Sequence, residues 1–442
     1  MQDTKLASVD DSPSPPNQKR RQGTFSSLAD SNFRLLYFGN LLQFGSMQMQ
    51  QLVRGWLVFH LTGSFAALGL MSLANALPGL AVAPFGGAIA DRVPKKTVIQ
   101  ICQLYNAGNA AVLAIIAGGF FGLHLEFWHL FLSGFLQGGV NSVMQPSRQS
   151  IINDLVGPER LMNAIGINST GQTLMQLIGP GVGGFMLGVL DPSAVFWVMA
   201  AMYALAVTFT ARLPKRPLFA YEHSGDRRHK SRGRAGAMFS EVGDGLKYVW
   251  RDQTIRTLIA VNFLIVVVAM PYTMLLPGFV RTVLCPPPDC SAGHSGTLQG
   301  WLQSTQGIGA IVASFVVASG MSRGRGKLQI FWGVLLGAAI LAFSVSQNFW
   351  ITLPIMLLIG AGQAGRMATG QVLIQTYAAD EYRGRVSAVW FMQFSLVQLG
   401  TFFVGILAEL VGIQVAIGGL ALLLVIAMFA VLLMVPTIRD LD

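Results

Sequence analysis

Few residues of this chain have the chemistry to hold a charge in an apolar setting, and those few say most about it. Arg54 stands in QFGSMQMQQLVRGW (43–56), inside a run that otherwise reads as a membrane helix. Gln43, Met47, Gln50 and Arg54 fall at i, i+4, i+7 and i+11, which is one face of a helix. A guanidinium beside amides offers many donors to an anionic or amphipathic molecule. A second arginine, Arg366, lies in the apolar run around GAGQAGRMATGQ. Intramembrane charge is costly and is usually functional or paired. A structural role stays open for both: Arg54 can snorkel to an interface, and either can cap carbonyls between helices. Carboxylates are scarcer still. Glu409 is near the end of one apolar run and Asp91 is at the rim of another, so proton-carrying chemistry has few candidates. Met47, Met144 and Met175 add adaptable apolar surface, or plain packing.

The elements that must position these residues are membrane helices. Of 442 residues 52% are hydrophobic and 11% charged, against about a quarter charged in soluble domains. The 50 glycines agree with membrane helices, and β-barrel patterning is absent. The chain is therefore all-α and integral to a membrane, with twelve expected spans: 33–58, 65–89, 97–118, 125–146, 162–189, 192–212, 255–280, 297–319, 328–346, 350–373, 387–410 and 414–436. Residues 1–30, with PSPPNQKRRQ, read as a polar disordered tail, and no removable signal peptide is visible. Residues 31–212 and 255–442 are expected as two six-helix bundles, joined by a basic linker at 213–254.

Loops on one side hold Arg92, Lys95, Lys96, Arg148, Arg160, Arg323, Arg325, Lys327, Arg383 and Arg385, and the linker adds Arg227, Arg228, Lys230, Arg232 and Arg234. The positive-inside rule puts that side, and both termini, in the cytoplasm of a cell bounded by a plasma (inner) membrane. The net charge of +10 then needs no nucleic acid; anionic lipid is the better partner for the linker. Cys102 lies within a helix, while Cys285 and Cys290 flank PPPD in an outer loop, where a disulfide is permitted. No metal site is expected.

At an offset of 222 residues Arg34 aligns with Arg256, Leu36 with Leu258, Asn40 with Asn262, Gln149 with Gln371 and Glu159 with Glu381. These matches fall at equivalent places, the layout of a duplicated transporter whose halves meet at a central cavity.

Three motifs add to this. GGAIADRVPKK (86–96), with Gly87, Asp91, Arg92, Lys95 and Lys96, resembles the loop signature of the major facilitator superfamily. That resemblance implies an inner latch in which Asp91 engages the start of a helix from the other half, near Arg383 and Arg385. The second-half counterpart GMSRGRGK (320–327) lacks the acid. In the fifth span Gly166, Gly179, Pro180, Gly183 and Gly184 resemble the exporter signature of drug antiporters, with Met175 in place of one glycine. PSRQSIINDLVGPERLMNAIGINS (146–169), QTYAADEYRGRVSA (375–388) and residues 32–64 resemble the enterobactin-exporter and macrolide-efflux branch. One departure matters: many proton-coupled drug exporters carry R-x-x-Q-G in the fourth span, and here Gly134 precedes Phe135-Leu136-Gln137-Gly138.

GPGVGG and GAGQAG satisfy a dinucleotide fingerprint without a strand before them, and GMSRG satisfies a hydrolase elbow without its partners. A phosphate-binding G-x-x-x-x-G-K-[ST] loop and H-E-x-x-H are missing, so neither an enzyme nor a bound cofactor is expected. The resemblance implies a monomeric secondary transporter that exports small amphipathic compounds, drug- or siderophore-like, by alternating access with proton antiport. Gln43, Met47, Gln50, Arg54, Gln137, Asn141 and Gln172 are the expected cavity lining. The scarcity of carboxylates leaves two alternatives: a lysophospholipid or lipid facilitator without proton coupling, and a non-transporting sensor or scaffold.

Overall fold

The computed structural model describes residues 26–214, 218, 243, 246–288, 290–319, 324–379, 381–439 and 441, without the side chains of 80, 83–92, 158 and 388. The tail before residue 26, most of the basic linker, and the surroundings of Gly87, Asp91 and Arg92 therefore lie outside the described residues.

Among the described residues twelve long helices follow in order: α1 (Ser31–Thr62), α2 (Phe65–Arg92), α3 (Lys95–Ala117), α4 (Phe127–Leu155), α5 (Pro158–Val189), α6 (Pro192–Ala211), α7 (Gln253–Leu284), α8 (Ala292–Ala318), α9 (Arg325–Val345), α10 (Phe349–Tyr377), α11 (Arg383–Val411) and α12 (Ile413–Met434). Helix α7 is built of Gln253–Ala269, Tyr272–Phe279 and a wider turn at Val280–Leu284. Helix α11 breaks after Phe391 and resumes at Gln393. Among the described residues eight helices, α3 and α6 to α12, are long and apolar enough to cross a membrane by composition alone. Helices α1, α4 and α5 have the length, at 32, 29 and 32 residues, but carry the polar side chains of the site. Leu104, Phe403, Val345 and Leu433 stay exposed on the outside of the bundle, as a lipid-facing surface requires.

Helix α4 corrects one expectation. Arg148 is not in a loop: the helix runs through Pro146 to Leu155, and Arg148 is 4% exposed. A proline removes one backbone bond and bends a helix. Here Ile151, Ile152 and Leu155 continue the apolar face and bury against Phe33 and Leu36, which holds the extra turns in place.

The duplication is visible in burial. Arg34 and Arg256 are both exposed, Leu36 and Leu258 both buried, Asn40 and Asn262 both buried. A further match was missed in the sequence. Asp30 caps α1, accepting from the backbone N–H of Asn32 and Phe33, and Asp252 caps α7 in the same way through Ile255. Each cap satisfies donors that a helix start leaves orphaned.

One end of the bundle carries Lys95, Lys96, Arg325 and Arg383 and is called the basic end. The halves are closed against each other at the opposite end. There the indole of Trp56 donates to the Ala292 carbonyl and the Ser295 hydroxyl, at 3.1 and 3.0 Å. Thr297 donates to the Gly184 carbonyl at 3.2 Å, and Ser304 to that of Leu177 at 2.8 Å. These bonds between the halves, with those that residues 64–66 donate to Glu409, run from the middle of the bundle to this opposite end.

Glycine permits the close approach. A Cβ on Gly184 would stand 2.5 Å from the Gly296 carbonyl oxygen and 2.7 Å from the Gly300 Cα, and one on Gly405 would stand 2.6 Å from the Phe65 carbonyl oxygen. Neighbouring backbone cannot rotate away, so these contacts need a residue without Cβ.

Candidate functional site

The polar stripe of α1 faces the interior of the first half. Gln43, Gln50 and Arg54 are 1%, 2% and 6% exposed. Helix α4 supplies Ser133 and Gln137 opposite them. Arg54 Nη2 donates to Gln137 Oε1 at 2.6 Å and to Ser133 Oγ at 3.2 Å, and Arg54 Nη1 reaches Asn75 Oδ1 of α2 at 3.4 Å. Gln137 donates on to Gln50 Oε1 at 2.7 Å, and the Tyr203 hydroxyl of α6 donates to the same oxygen at 3.0 Å. Asn109 of α3 donates to Ser133 at 2.9 Å. Five helices are thus tied by one network with Arg54 at its centre.

Gly134 makes room for it. A Cβ there would collide with Met71 Cε and lie 3.4 Å from both Arg54 Nη1 and Asn75 Oδ1. The fourth span lacks an arginine at this position, and the guanidinium of Arg54, arriving from α1, lies beside the gap. Gly138 is held as tightly, since a Cβ there would run into the Asn75 carbonyl oxygen.

Three charged side chains are buried among the described residues, and all are arginines: Arg54, Arg148 and Arg366. The hydrogen-bond partners of Arg54 and Arg366 are neutral. Arg366 Nη1 donates to Asn262 Oδ1, and Asn262 Nδ2 donates to Gln393 Oε1 at 3.4 Å. Arg148 stacks its guanidinium carbon 3.8 Å above the Phe44 ring, and its two terminal nitrogens have no hydrogen-bond partner. No Asp or Glu among the described residues is buried. A guanidinium stays protonated, so the interior carries fixed positive charge and no compensating acid.

A different set of polar residues meets solvent. Gln51 of α1 and Ser169, Thr170, Thr173 and Gln176 of α5 are exposed, although they sit within long helices. Amides and hydroxyls do not face lipid cheaply, so this surface belongs to a wet cleft between the halves. The hydroxyls of Thr170 and Thr173 bond carbonyls one turn back in their own helix, which lowers their demand for other partners. Gly166, near the basic end of α5, has nothing within 4 Å of a Cβ built on it. This exposed polar face of α5 therefore lies on the basic-end side of the closed seam. Met47, Asn141 and Gln172 are half-buried, and Asn141 Oδ1 has no partner.

The other expected residues lie as follows. Gly179 and Gly183 let α5 approach α1 at Gln48 and Met49, while Gly184 meets α8 of the other half. Met175, standing where the signature has glycine, fills the space over Gly45. Lys95 pairs with Asp154 at 2.7 Å, and Lys96 donates to the carbonyls of Ala211 and Leu213 at 2.7 and 2.5 Å. These three partners all belong to the first half. Arg385 lies over the ring of Tyr382 at 5.3 Å, within its own segment. Cys285 and Cys290 are joined as a disulfide, and Arg281 donates to the Cys290 carbonyl at 2.7 Å. Among the described residues no group of His, Cys, Asp and Glu could hold a metal ion.

Sequence reasoning missed Gln51 because it lies on another face of α1 from the Arg54 stripe, and the α5 hydroxyls because spacing along one helix does not show what a second helix exposes. It missed Asn75, Asn109, Ser133 and Tyr203 because each is a single polar residue in an apolar run. Two arginines in one half, on adjacent helices, were the signal for Arg148.

Residues 22–442 match the family model described as transmembrane secretion effector. The chain is similar to the staphyloferrin A transporter of Staphylococcus aureus, with 23% identity over 86% of this chain and 88% of that protein. It is also 22% identical to the multidrug efflux pump Tap of Mycobacterium tuberculosis, over 92% of this chain and 94% of that one. In fold it matches a bacterial homolog of the human lysosomal transporter Spinster, solved inward-facing and unoccupied, with a TM-score of 0.68. That match has 16% identity and covers 93% of this chain and 98% of that one.

Proposed function

The chain belongs to the transmembrane secretion effector family of the major facilitator superfamily, and from that premise we propose that it exports small amphipathic compounds, drug- or siderophore-like, by alternating access. The observation that carries this reading is the cleft. In this reading it opens at the basic end; it is closed at the other, and has neutral amides and hydroxyls on a helix otherwise rich in apolar side chains. Such a surface accepts molecules with an apolar body and scattered polar groups. The names of the similar proteins, a siderophore transporter and a multidrug pump, support the same class of cargo.

The basic end is cytoplasmic in this proposal, with both termini on that side and the protein in the inner membrane of a bacterial cell. Cargo enters from the cytoplasm, the halves rock, and the seam from Trp56 to Ser304 parts. The molecule works as a monomer. Gln51, Thr173 and Gln176 contact cargo together with Met47, Asn141 and Gln172. Arg54 sits behind them and holds α1, α2 and α4 in register with Gln50 and Gln137. Asp91 and Arg92, with Arg383 and Arg385, form the inner latch. Proton antiport would rest on Asp91 or Glu409, since no buried acid is available among the described residues.

That shortage favours a second reading, an uncoupled facilitator of lysophospholipids or other lipids. The test is transport of labelled amphiphiles into proteoliposomes of known orientation, with and without an imposed pH gradient. Gradient-driven uptake from the basic side supports export by antiport. Uptake that ignores the gradient favours the facilitator. No movement of any amphiphile defeats both.

A further inference from the structure

We propose that the interior of the first half holds a small inorganic anion, of chloride size, at Arg148. Its guanidinium lies flat over Phe44, a face contact that leaves the edge donors of the planar fork pointing sideways. Both terminal nitrogens are fully enclosed and bond nothing. Buried donors left unpaired are rare in native interiors, and a charged pair of them is rarer still. Among the described residues no carboxylate is buried beside it, and the phenol of Tyr203 lies within electrostatic reach of both Arg148 and Arg54.

The surroundings point to an ion rather than to cargo. Arg148 is 4% exposed while the cleft stands open, so a bulky molecule does not reach it. An enclosed site with a cation and an aromatic wall fits a monatomic anion, which needs only N–H and O–H donors. Gln43, the residue beside Phe44 on α1, is 1% exposed and has neither amide atom bonded. Its Nε2 is a further donor on the same stretch of helix. Arg148 is seven residues from the end of α4, about 10 Å of helix from the basic end, which gives an ion a short route in. Bound there, the anion neutralises a charge that the chain itself leaves uncompensated.

Thermal unfolding of the purified full chain in sodium chloride and in sodium gluconate, at matched ionic strength, tests this. The wild type is expected to gain a few degrees in Tm with rising chloride, saturably, and Arg148→Met is expected to lose that gain. Equal Tm in the two salts, or a gain that survives Arg148→Met, overturns the site. If Arg148→Met does not fold, Phe44→Leu keeps the charge and removes its platform. It is expected to raise the chloride concentration at half effect several-fold, and an unchanged midpoint overturns the proposal. The readout involves no transported compound, so a negative result leaves the export reading untouched.

Discussion

The carboxylate of Glu409, near the end of α11, accepts the backbone N–H of Phe65, the first residue of α2, at 2.7 Å. It also takes the Ser64 hydroxyl at 3.2 Å and the Ala66 N–H at 3.4 Å. A side chain of one half thus caps a helix of the other, at the end where the halves are shut. An anion at a helix start satisfies orphaned donors and meets the favourable end of the macrodipole. Glu409→Gln keeps the size and drops the charge. It is expected to weaken closure by about 1 kcal/mol, a several-fold shift toward opening. Spin labels at the exposed Leu61 and Leu410 would read this as a growing long-distance population. An unchanged distance distribution would count against a role for the Glu409 cap in closure.

Gly134→Ala tests the packing around Arg54. The new Cβ meets Met71 Cε, the end of a flexible side chain, and crowds Arg54 Nη1 and Asn75 Oδ1. Overpacking of this kind costs about 1–3 kcal/mol. The expected result is a lower Tm and slower export, with both recovered in part by Met71→Ala in the same chain. Recovery marks a direct clash, because coupled neighbours depart from additivity and distant ones do not. Strict additivity of the two substitutions would show that Gly134 does not shape this site.

Gly184→Ala makes the opposite kind of contact, backbone against backbone. Its Cβ stands 2.5 Å from the Gly296 carbonyl oxygen and 2.7 Å from the Gly300 Cα, and neither can rotate aside. Helices α5 and α8 must separate, so the closed end is expected to loosen by about 1–3 kcal/mol while each half keeps its own core. Labels at Leu190 and His294, on the two sides of that seam, would move apart. A wild-type distance with normal export would show that the seam tolerates the methyl group.

The helices were legible in the sequence because a spanning helix needs about 20 apolar residues, and composition alone reveals that. The duplication was legible at Asn40 and Asn262, whose burial agrees, and was missed at the capping pair Asp30 and Asp252. The stripe of Gln43, Gln50 and Arg54 was read from spacing, which sets which residues share a face but not what that face meets. Its partners come from Ser133, Gln137 and Tyr203, brought close only by the packing of α1 with α4 and α6. Arg148 is a loop charge in the sequence reading because the expected fourth span ends at residue 146. The apolar residues after it keep the helix going.

Arg366 offers a prediction whose sign depends on whether its charge is compensated. Its terminal nitrogen bonds Asn262, a neutral acceptor, and its Nε has no partner. Asn262→Ala removes that acceptor and leaves the cation buried among apolar groups. A hydrogen bond to a charged group is worth about 1.5–3 kcal/mol, so a clear fall in Tm is expected. Asn262→Asp has nearly the same shape and supplies the acid that the interior lacks. Two opposite charges in direct contact inside a low dielectric attract strongly, and the aspartate's desolvation is offset only because the guanidinium is already there. The expected result is a Tm at or above that of the wild type, even though an acid has been placed in a membrane helix. If Asn262→Asp instead falls as far as Asn262→Ala, Arg366 is already neutralised by another group, and the excess positive charge inferred for the interior does not extend to the second half.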